Sequence, residues 1–292
     1  MRLDQLYKSD KSALSFEFFP PKTPEGVKNL FGETIPRLNR FQPAFFSMTD
    51  GAGGSTRDLT VELCDRMKNQ ARVETMCHLN IIGQSREATR ENLRKIKTAG
   101  VYNLLALRGD PPRDQPDFKP HPEGFTSSVE LIQEAHQDPW FSIAVTGFPE
   151  IHPEAKDRVS DIAYLKRKVA AGGSVVLTQY FLDNSDFFEF MEHVRRAGLR
   201  VPVIPGILPI LSASQIRRFS VLCGAEIPLL VEQALAKYEN DEEGVANYGI
   251  ELATKLCEGL LKSGVPGLHF YCLNRARSTE AILTHLGFKQ TD

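Results

Sequence analysis

A single carboxylate stands in a run of phenylalanines near the start of the chain, in the sequence SFEFFPPK at residues 15–22. At the two-residue period of a β-strand, Phe16 and Phe18 face one side of the strand and Glu17 faces the other. The two prolines that follow predict that the strand ends just beyond the acid. A carboxyl group in this position is suited to general acid-base chemistry. The pattern therefore indicates that Glu17 is a site residue, and a solvent-facing strand acid is the alternative.

Polar or ionisable residues also close most of the other short apolar runs in the chain. Since a buried charge costs free energy unless it is paired or used in chemistry, packing alone does not explain this pattern. The sequence therefore predicts that these residues contribute to one site. In chain order they are Thr49 with Asp50, His78, Arg108 with Gly109 and Asp110, Gln179, and Tyr271 with Asn274 and Arg275.

Eight short runs of apolar, β-branched or aromatic residues recur along the chain, and most of them precede a longer amphipathic stretch. This alternation, in units of roughly 30 residues without a composition break, predicts an α/β fold with an eight-stranded parallel (β/α)8 barrel of the TIM type. We expect residues 1–292 to form this single catalytic domain. The runs span residues 14–19, 44–49, 73–80, 103–109, 141–147, 174–180, 201–207 and 267–273.

The intervals between the runs carry helix signals. In TRENLRKIKTAG, at residues 89–100, Leu93 and Ile96 share a helix face and Gly100 supplies a C-terminal stop. The longest interval, at residues 208–266, is rich in helix formers and predicts extra helices before the last strand. Because barrel enzymes build their sites at the C-terminal ends of the strands, the strand-end residues are expected to meet at one mouth of the barrel.

Charge and composition exclude several classes of partner. The chain of 292 residues has 35 Lys plus Arg and 37 Asp plus Glu, for a net charge of −2, without a block of like charge that would follow nucleic acid or an anionic membrane. It has neither a signal-peptide run nor an apolar stretch long enough to span a bilayer, so a cytoplasmic protein is expected. Its five cysteines are scattered and never spaced as C-x-x-C, which argues against a disulfide framework or a structural zinc site.

Several common catalytic motifs are absent from the sequence. It contains no G-x-G-x-x-G, no G-x-x-x-x-G-K-[ST], no H-E-x-x-H and no G-x-S-x-G, and no lysine stands at the inward end of a strand to form a Schiff base. A metal site built from Glu17, His78, Asp110 and His152 remains an alternative, as in metal-dependent barrel lyases. The residues alone leave that alternative open.

Six motifs in chain order extend from residue 15 to residue 275. Together they resemble the bacterial methylenetetrahydrofolate reductases. They are SFEFFPPK, LLALRGDPP, FPEIHPEA, LKRKVAAGG followed by TQYF, PGILP and HFYCLNR.

The resemblance implies a flavin-dependent (β/α)8 barrel with FAD as a noncovalent cofactor. It implies that NADH or NADPH reduces the flavin, leaves, and is replaced by 5,10-methylenetetrahydrofolate, which becomes 5-methyltetrahydrofolate for methionine synthesis. A homo-oligomer, either a dimer or a tetramer, is also expected. The remaining alternative to an enzyme is a non-catalytic folate-binding or assembly subunit.

The resemblance also assigns roles residue by residue. Glu17 is expected to protonate the amine nitrogen that departs when the methylene bridge opens, and Asp110 to stabilise the cationic iminium. Helix spacing places Asp161 and Lys168 on one face, with a solvent-facing pair as the alternative, and plain core is the alternative for Phe219. The expected FAD-binding residues are Thr49, His78, Arg108, Gly109, Asp110, His152, Asp161 and Lys168. The expected substrate-binding residues are Glu17, Gln179, Gln215, Phe219, Tyr271 and Arg275.

Two positions depart from the family pattern. Asp50 stands where many relatives have an aromatic residue beside the cofactor, and Phe148 stands where many have a tyrosine. Both changes remove groups that could contact FAD, so together they could weaken its binding.

Overall fold

A computed structural model describes residues 1–7, 12–51, 56–111 and 117–291, apart from the side chain of residue 4. Eight strands form a closed barrel in which each strand pairs in parallel with the next and β8 pairs with β1. The predicted (β/α)8 barrel is therefore confirmed. The strands are β1 (Ala13–Phe18), β2 (Phe45–Met48), β3 (Thr75–Asn80), β4 (Asn103–Leu107), β5 (Ser142–Gly147), β6 (Gly173–Tyr180), β7 (Val203–Ile207) and β8 (Gly267–Tyr271).

Helices connect the strands, and the long interval before β8 holds three of them in addition to the loops, as predicted. No helix in the described part of the chain is both long and apolar enough to cross a membrane. The helices are α1 (Leu3–Leu6), α2 (Pro24–Asn29), a π-helix (Leu30–Thr34), α3 (Ile35–Asn39), α4 (Arg57–Asn69), α5 (Arg86–Thr98), α6 (Ser128–His136), α7 (Arg158–Ala170), α8 (Asn184–Arg196), α9 (Ala213–Cys223), α10 (Leu229–Lys237), α11 (Glu242–Lys262) and α12 (Arg277–His285).

Helix α5 shows how local sequence sets an element. The Ser85 side chain caps its first turn by accepting a hydrogen bond from the backbone N–H of Ala88. Leu93 and Ile96 are buried on one face, as their spacing predicts. Gly100 follows the helix at φ +73°, a left-handed conformation that glycine adopts without steric cost.

Strand β1 places its two faces as its sequence predicts. Phe16 and Phe18 are fully buried in the cluster between the sheet and the surrounding helices, and the rings of Phe18 and Phe46 meet edge to face at 5.3 Å. The alternate residues, Ser15 and Glu17, therefore face the inside of the barrel.

The N-terminal end of the barrel is filled with apolar side chains. Leu3 of α1 is fully buried there, in a cluster that includes Phe45, Met76 and Ile204. The backbone N–H of Leu3 donates to the side-chain oxygen of Asn103 at 3.0 Å, which ties α1 to β4. This end of the barrel is therefore closed, and Glu17, near the C-terminal end of β1, lies towards the opposite mouth.

Candidate active site

Glu17 lies inside the barrel with two histidines beside its carboxyl group. Its Oε2 is 3.2 Å from Nε2 of His269 and 3.4 Å from Nε2 of His78, and the Glu17 residue is only 6% exposed. The phenylalanines of its own strand point away from it. The immediate surroundings of this acid are therefore imidazole rings, which the sequence pattern of β1 does not reveal.

Ser15 and His269 complete a buried hydrogen-bonded chain. Nδ1 of His269 is 2.8 Å from the Ser15 hydroxyl, and that hydroxyl also lies 3.4 Å from the Leu268 carbonyl oxygen. The His269 ring is fully buried and stacks on Phe45 with a centroid distance of 6.0 Å. Each nitrogen of the ring thus has one partner, Ser15 on one side and Glu17 on the other.

His78 contacts the same carboxyl group without completing a hydrogen bond. Its Nε2 has no hydrogen-bond partner of suitable geometry among the described residues, although Glu17 Oε2 is only 3.4 Å away. Burial lowers the pKa of His78 to about 4, although the charge of Glu17 acts in the opposite direction. His78 is therefore neutral near pH 7.

Tyr271 lies directly across from Glu17 in the β1–β8 register. Its hydroxyl donates to the Thr178 carbonyl oxygen at 2.6 Å. Burial, reinforced by the charge of Glu17, holds the pKa of Tyr271 well above its usual range, so it stays a protonated donor. A Cβ atom on Gly206 would lie 2.7 Å from the Tyr271 ring, which explains the glycine of the PGILP motif.

An arginine–glutamate pair joins the loop after β4 to the loop after β5. Arg108 donates two hydrogen bonds to the Glu154 carboxylate, at 2.6 and 2.7 Å. Gly109 has φ +82°, and a Cβ atom there would lie 2.9 Å from the side chain of Asn80. The Asp110 side chain is 93% exposed and lies 3.9 Å from Arg108. Asp110 is thus open at the mouth, and Glu154 is a partner that the sequence did not indicate.

Asp161 and Lys168 of α7 are both buried, at 9% and 6% exposure. The alternative interpretation of a solvent-facing pair is therefore wrong. The Lys168 ammonium donates to the Thr146 carbonyl oxygen at 2.5 Å, and Asp161 Oδ2 accepts from the backbone N–H of His152 at 3.4 Å. Burial lowers the pKa of Lys168 to about 8, with Asp161 opposing the shift, and burial raises the pKa of Asp161.

The end of β2 carries a buried carboxylate, that of Asp50. Oδ2 of Asp50 accepts from the backbone N–H of Asn80 at 3.3 Å and lies 3.6 Å from Nε of Arg57. Burial raises the pKa of Asp50 to about 6, although Arg57 acts in the opposite direction. The neighbouring Thr49 hydroxyl is buried and has no hydrogen-bond partner among the described residues. Among the described residues, Oδ1 of Asp50 and the Ser47 hydroxyl likewise lack a partner, so this strand end carries several unpaired buried polar atoms.

Two of the expected substrate residues line one polar cleft. It has a volume of about 540 Å³ and lies between the start of α9 and the loop after β8, with Gln215, Arg218 and Arg275 in its wall. The Gln179 side chain instead accepts from the backbone N–H of Tyr180 at 2.9 Å. Phe219 is partly buried and packs against the cluster formed by α9, α10 and α11. The structure thus brings Gln215 and Arg275 together in one cleft, and it adds Arg218 to the candidate substrate residues.

The four residues of the alternative metal site do not form one cluster. Glu17 and His78 touch, but no three His, Cys, Asp or Glu side chains in the described ranges are grouped so that they could hold a metal ion. Asp110 and His152 instead lie on the loops after β4 and β5.

The model of the family described as methylenetetrahydrofolate reductase matches residues 2–287. The chain belongs to the methylenetetrahydrofolate reductase family. It is 42% identical to methylenetetrahydrofolate reductase (NADH) 1 of Zea mays, over 95% of this chain and 48% of the plant protein. It is 34% identical to 5,10-methylenetetrahydrofolate reductase of Escherichia coli K12, over 94% of this chain and 91% of the bacterial protein. The chain thus spans about half the length of the plant family members that it matches and most of the bacterial one.

Solved structures share the fold at low identity. A protein from Clostridium thermocellum, described as uncharacterised and binding two copies of 5-methyl-5,6,7,8-tetrahydrofolic acid, superimposes with a TM-score of 0.67 at 13% identity, over 97% of this chain and 96% of that one. Dihydropteroate synthase of Xanthomonas albilineans superimposes with a TM-score of 0.52 at 12% identity, over 95% of this chain and 92% of that one. Both similarities support the barrel fold of this member of the reductase family.

Proposed function

We propose that the chain reduces 5,10-methylenetetrahydrofolate to 5-methyltetrahydrofolate, with FAD as cofactor and NADH or NADPH as donor in a ping-pong sequence. Family membership supports the reaction class. The observation that carries the proposal is the buried chain Ser15–His269–Glu17, which presents a carboxyl group with its own hydrogen-bond relay inside the barrel.

The relay accommodates both protonation states of Glu17. When Glu17 is ionised, His269 donates from Nε2 to the carboxylate, and Nδ1 accepts the Ser15 hydroxyl proton. When Glu17 is protonated, it donates to Nε2, Nδ1 donates to Ser15, and the hydroxyl can turn to the Leu268 carbonyl oxygen. The hydrogen bonds that link Ser15, His269 and Oε2 of Glu17 are kept in both states. Glu17 can therefore hold a proton and release it to the departing folate nitrogen without leaving Ser15 or His269 unpaired.

The residues around the mouth fit FAD. Thr49 and His78 each present a buried polar atom that lacks a hydrogen-bond partner among the described residues, and the resemblance to the family assigns both residues to the cofactor. Lys168 and Arg108 supply cations suited to a diphosphate, Arg108 by exchanging its present partner Glu154. Gly109 lets backbone approach closely. When bound, FAD would take a hydride from the nicotinamide and pass it to the folate.

Further contacts are assigned to the same mouth. His152 and Asp161, which are linked through the His152 backbone N–H, would complete the cofactor site. Asp110, exposed beside Arg108, would stabilise the cationic iminium of the folate by its charge. Gln179, Gln215, Phe219, Tyr271 and Arg275 would hold the substrates.

We propose that residues 1–292 act as one catalytic domain in a cytoplasmic homo-oligomer, either a dimer or a tetramer, that supplies methionine synthesis. Val221, Leu229 and Leu230 are 84%, 72% and 76% exposed at the end of α9 and the start of α10, and exposed apolar residues of this size favour association of copies. Measurement of the particle mass in solution tests this part, and a monomer would contradict it.

Anaerobic spectroscopy of the purified protein tests the proposed reaction. We expect a visible flavin absorbance that is bleached by NADH or NADPH and restored by 5,10-methylenetetrahydrofolate, with 5-methyltetrahydrofolate as product. Folate binding without turnover would instead favour a non-catalytic binding subunit. A bound divalent metal with no flavin would favour a barrel lyase.

A further inference from the structure

Two consecutive residues after β8 adopt left-handed backbone conformations without being glycine. Leu273 has φ 51° and Asn274 has φ 57°. Such conformations are uncommon and cost free energy, particularly for leucine, so the surrounding contacts must hold them in place. The contacts of Asn274 show what this turn achieves.

The Asn274 side chain binds both backbone groups of one residue on the neighbouring strand end. Its Oδ1 accepts from the backbone N–H of Phe19 at 2.9 Å, and its Nδ2 donates to the Phe19 carbonyl oxygen at 2.8 Å. Phe19 lies one residue beyond the end of β1 and two residues beyond Glu17. The amide thus extends the pairing of β1 with β8, in which the backbone N–H of Cys272 donates to the Glu17 carbonyl oxygen at 3.1 Å.

The chain leaves β1 through residues that cannot make this connection themselves. Pro20 and Pro21 follow Phe19, and proline has no backbone N–H to donate. On the β2 side, the backbone N–H of Thr49 donates to the Phe18 carbonyl oxygen at 2.9 Å. On the β8 side, the Asn274 amide is what binds Phe19.

Asn274 also connects this strand end to the π-helix. Its carbonyl oxygen accepts from the Thr34 hydroxyl at 3.1 Å, and Thr34 is buried at the end of that helix. Single π-turns of this type are frequent near functional sites. One residue therefore joins the end of β1, the π-helix and the turn after β8.

We propose that Asn274 is a positioning residue that fixes the end of β1 and thereby aligns Glu17 with His269. This inference rests on the proposed function, because the alignment matters for the proton that Glu17 delivers. The Glu17–His269 contact is 3.2 Å long, so a modest shift of the strand end breaks it. A misplacement of about 1 Å at a reacting group can lower a rate about 100-fold.

Asn274→Gly is the decisive variant, because glycine keeps the left-handed backbone and removes only the amide. We expect flavin reduction by NADH or NADPH to stay within about twofold of wild type, while reoxidation by 5,10-methylenetetrahydrofolate falls about 10- to 100-fold with an altered pH profile. Asn274→Asp keeps the acceptor for the Phe19 N–H but loses the donor, so an intermediate loss is expected.

Asn184→Gly provides a matched control outside the barrel. The Asn184 amide donates to the Leu256 carbonyl oxygen at 3.0 Å and joins α8 to α11, so its loss leaves the contacts between β1 and β8 in place. Its loss should lower the melting temperature without separating the two half-reactions. The inference is overturned if Asn274→Gly is reoxidised like wild type, or if both of its half-reactions fall together as in a protein that is merely less stable.

The ¹⁵N resonances of the His269 ring give a readout that does not depend on turnover. We expect the signature of the Nε2 hydrogen bond to Glu17 to weaken in Asn274→Gly and to persist in Asn184→Gly. If wild-type protein is not reoxidised by the folate, the proposed function fails, and the ring resonances still decide the positioning role. Identical His269 resonances in wild type and Asn274→Gly would exclude that role.

Discussion

Glu17 and His269 meet inside the barrel because β1 and β8 are parallel neighbours in a fixed register. Ser15 pairs with His269 and Glu17 pairs with Tyr271 along the two strands. The inward face of each strand therefore sets Ser15, His269 and Glu17 in one hydrogen-bonded row, with Nε2 of His269 3.2 Å from Glu17. Closure of the barrel brings together residues from its first and last strands.

His269→Gln should impair folate chemistry selectively. Glutamine fills part of the ring's volume but cannot exchange donor and acceptor roles between Ser15 and Glu17. We expect reoxidation of the flavin by 5,10-methylenetetrahydrofolate to slow by about 10- to 100-fold, with flavin reduction by the nicotinamide little changed. The exposed His285→Gln serves as a control. Equal rates for His269→Gln and wild type in both half-reactions would contradict the relay.

His78→Asn should remove a component of acid destabilisation. The folded-state pKa of His78 is about 4, below its ordinary value, so between roughly pH 4 and 6.5 the unfolded chain binds more protons. As the pH falls through this window, protons bind His78 in the unfolded chain before they bind it in the folded protein, so the free energy of unfolding decreases. The loss in unfolding free energy from pH 7 to pH 5 should be smaller in the variant by about 2 kcal/mol. Chemical denaturation at the two pH values measures it, and an identical loss would refute the assignment.

Lys168→Met should change stability in alkaline solution. With the pKa of Lys168 lowered to about 8, the unfolded chain binds more protons between pH 8 and the ordinary lysine value, so wild-type stability gains from this group as the pH rises. We expect wild type to gain about 2 kcal/mol relative to the variant between about pH 7 and 9.5. The variant should also bind FAD more weakly in a fluorescence titration.

Lys166→Met is the control for that comparison, because Lys166 lies on the same helix and is exposed. It should follow the wild-type pH dependence and retain FAD. A Lys168 variant that behaves like this control in both measurements would show that the buried ammonium has neither role.

Gly206→Ala should damage the Tyr271 contact. The added methyl group would lie 2.7 Å from the Tyr271 ring and 2.3 Å from the Thr178 carbonyl oxygen, to which the tyrosine donates. We expect a loss of about 1–3 kcal/mol in unfolding free energy, from overpacking. Gly32→Ala, where a Cβ meets no heavy atom within 4 Å, should cost nothing. Equal melting temperatures for the two variants would contradict the packing argument.

The fold and part of the site could be predicted from the sequence because they depend on local patterns. The two-residue period at β1 correctly separated Phe16 and Phe18 from Glu17, and the polar residues that follow the apolar runs lie at or near the C-terminal ends of the strands. The partners of the polar groups could not be found in this way. Ser15 pairs with His269 across almost the whole chain, and the Arg108–Glu154 pair joins two loops. In the sequence HFY, at residues 269–271, alternation places His269 on the same strand face as Tyr271. This spacing is the signal that could have revealed His269 as a site residue.

The burial of Asp161 and Lys168 on α7 could not be inferred from the sequence either. Asp161 and Lys168 share a helix face by spacing, but spacing does not show whether that face meets solvent or the barrel. Only the packing of α7 against β5 and β6 settles this, because it places the Lys168 ammonium on the Thr146 carbonyl oxygen.

We propose that Glu17 supplies the proton for folate reduction, and stopped-flow absorbance of Glu17→Gln tests this role. Glutamine is nearly isosteric with the acid but cannot deliver the proton, whereas hydride transfer from the nicotinamide to the flavin breaks no carbon–nitrogen bond. We expect the variant to bind FAD and to be bleached by NADH or NADPH at a near-normal rate. Its reoxidation by 5,10-methylenetetrahydrofolate should fall by at least about 100-fold. Reoxidation at the wild-type rate would exclude Glu17 as the proton donor.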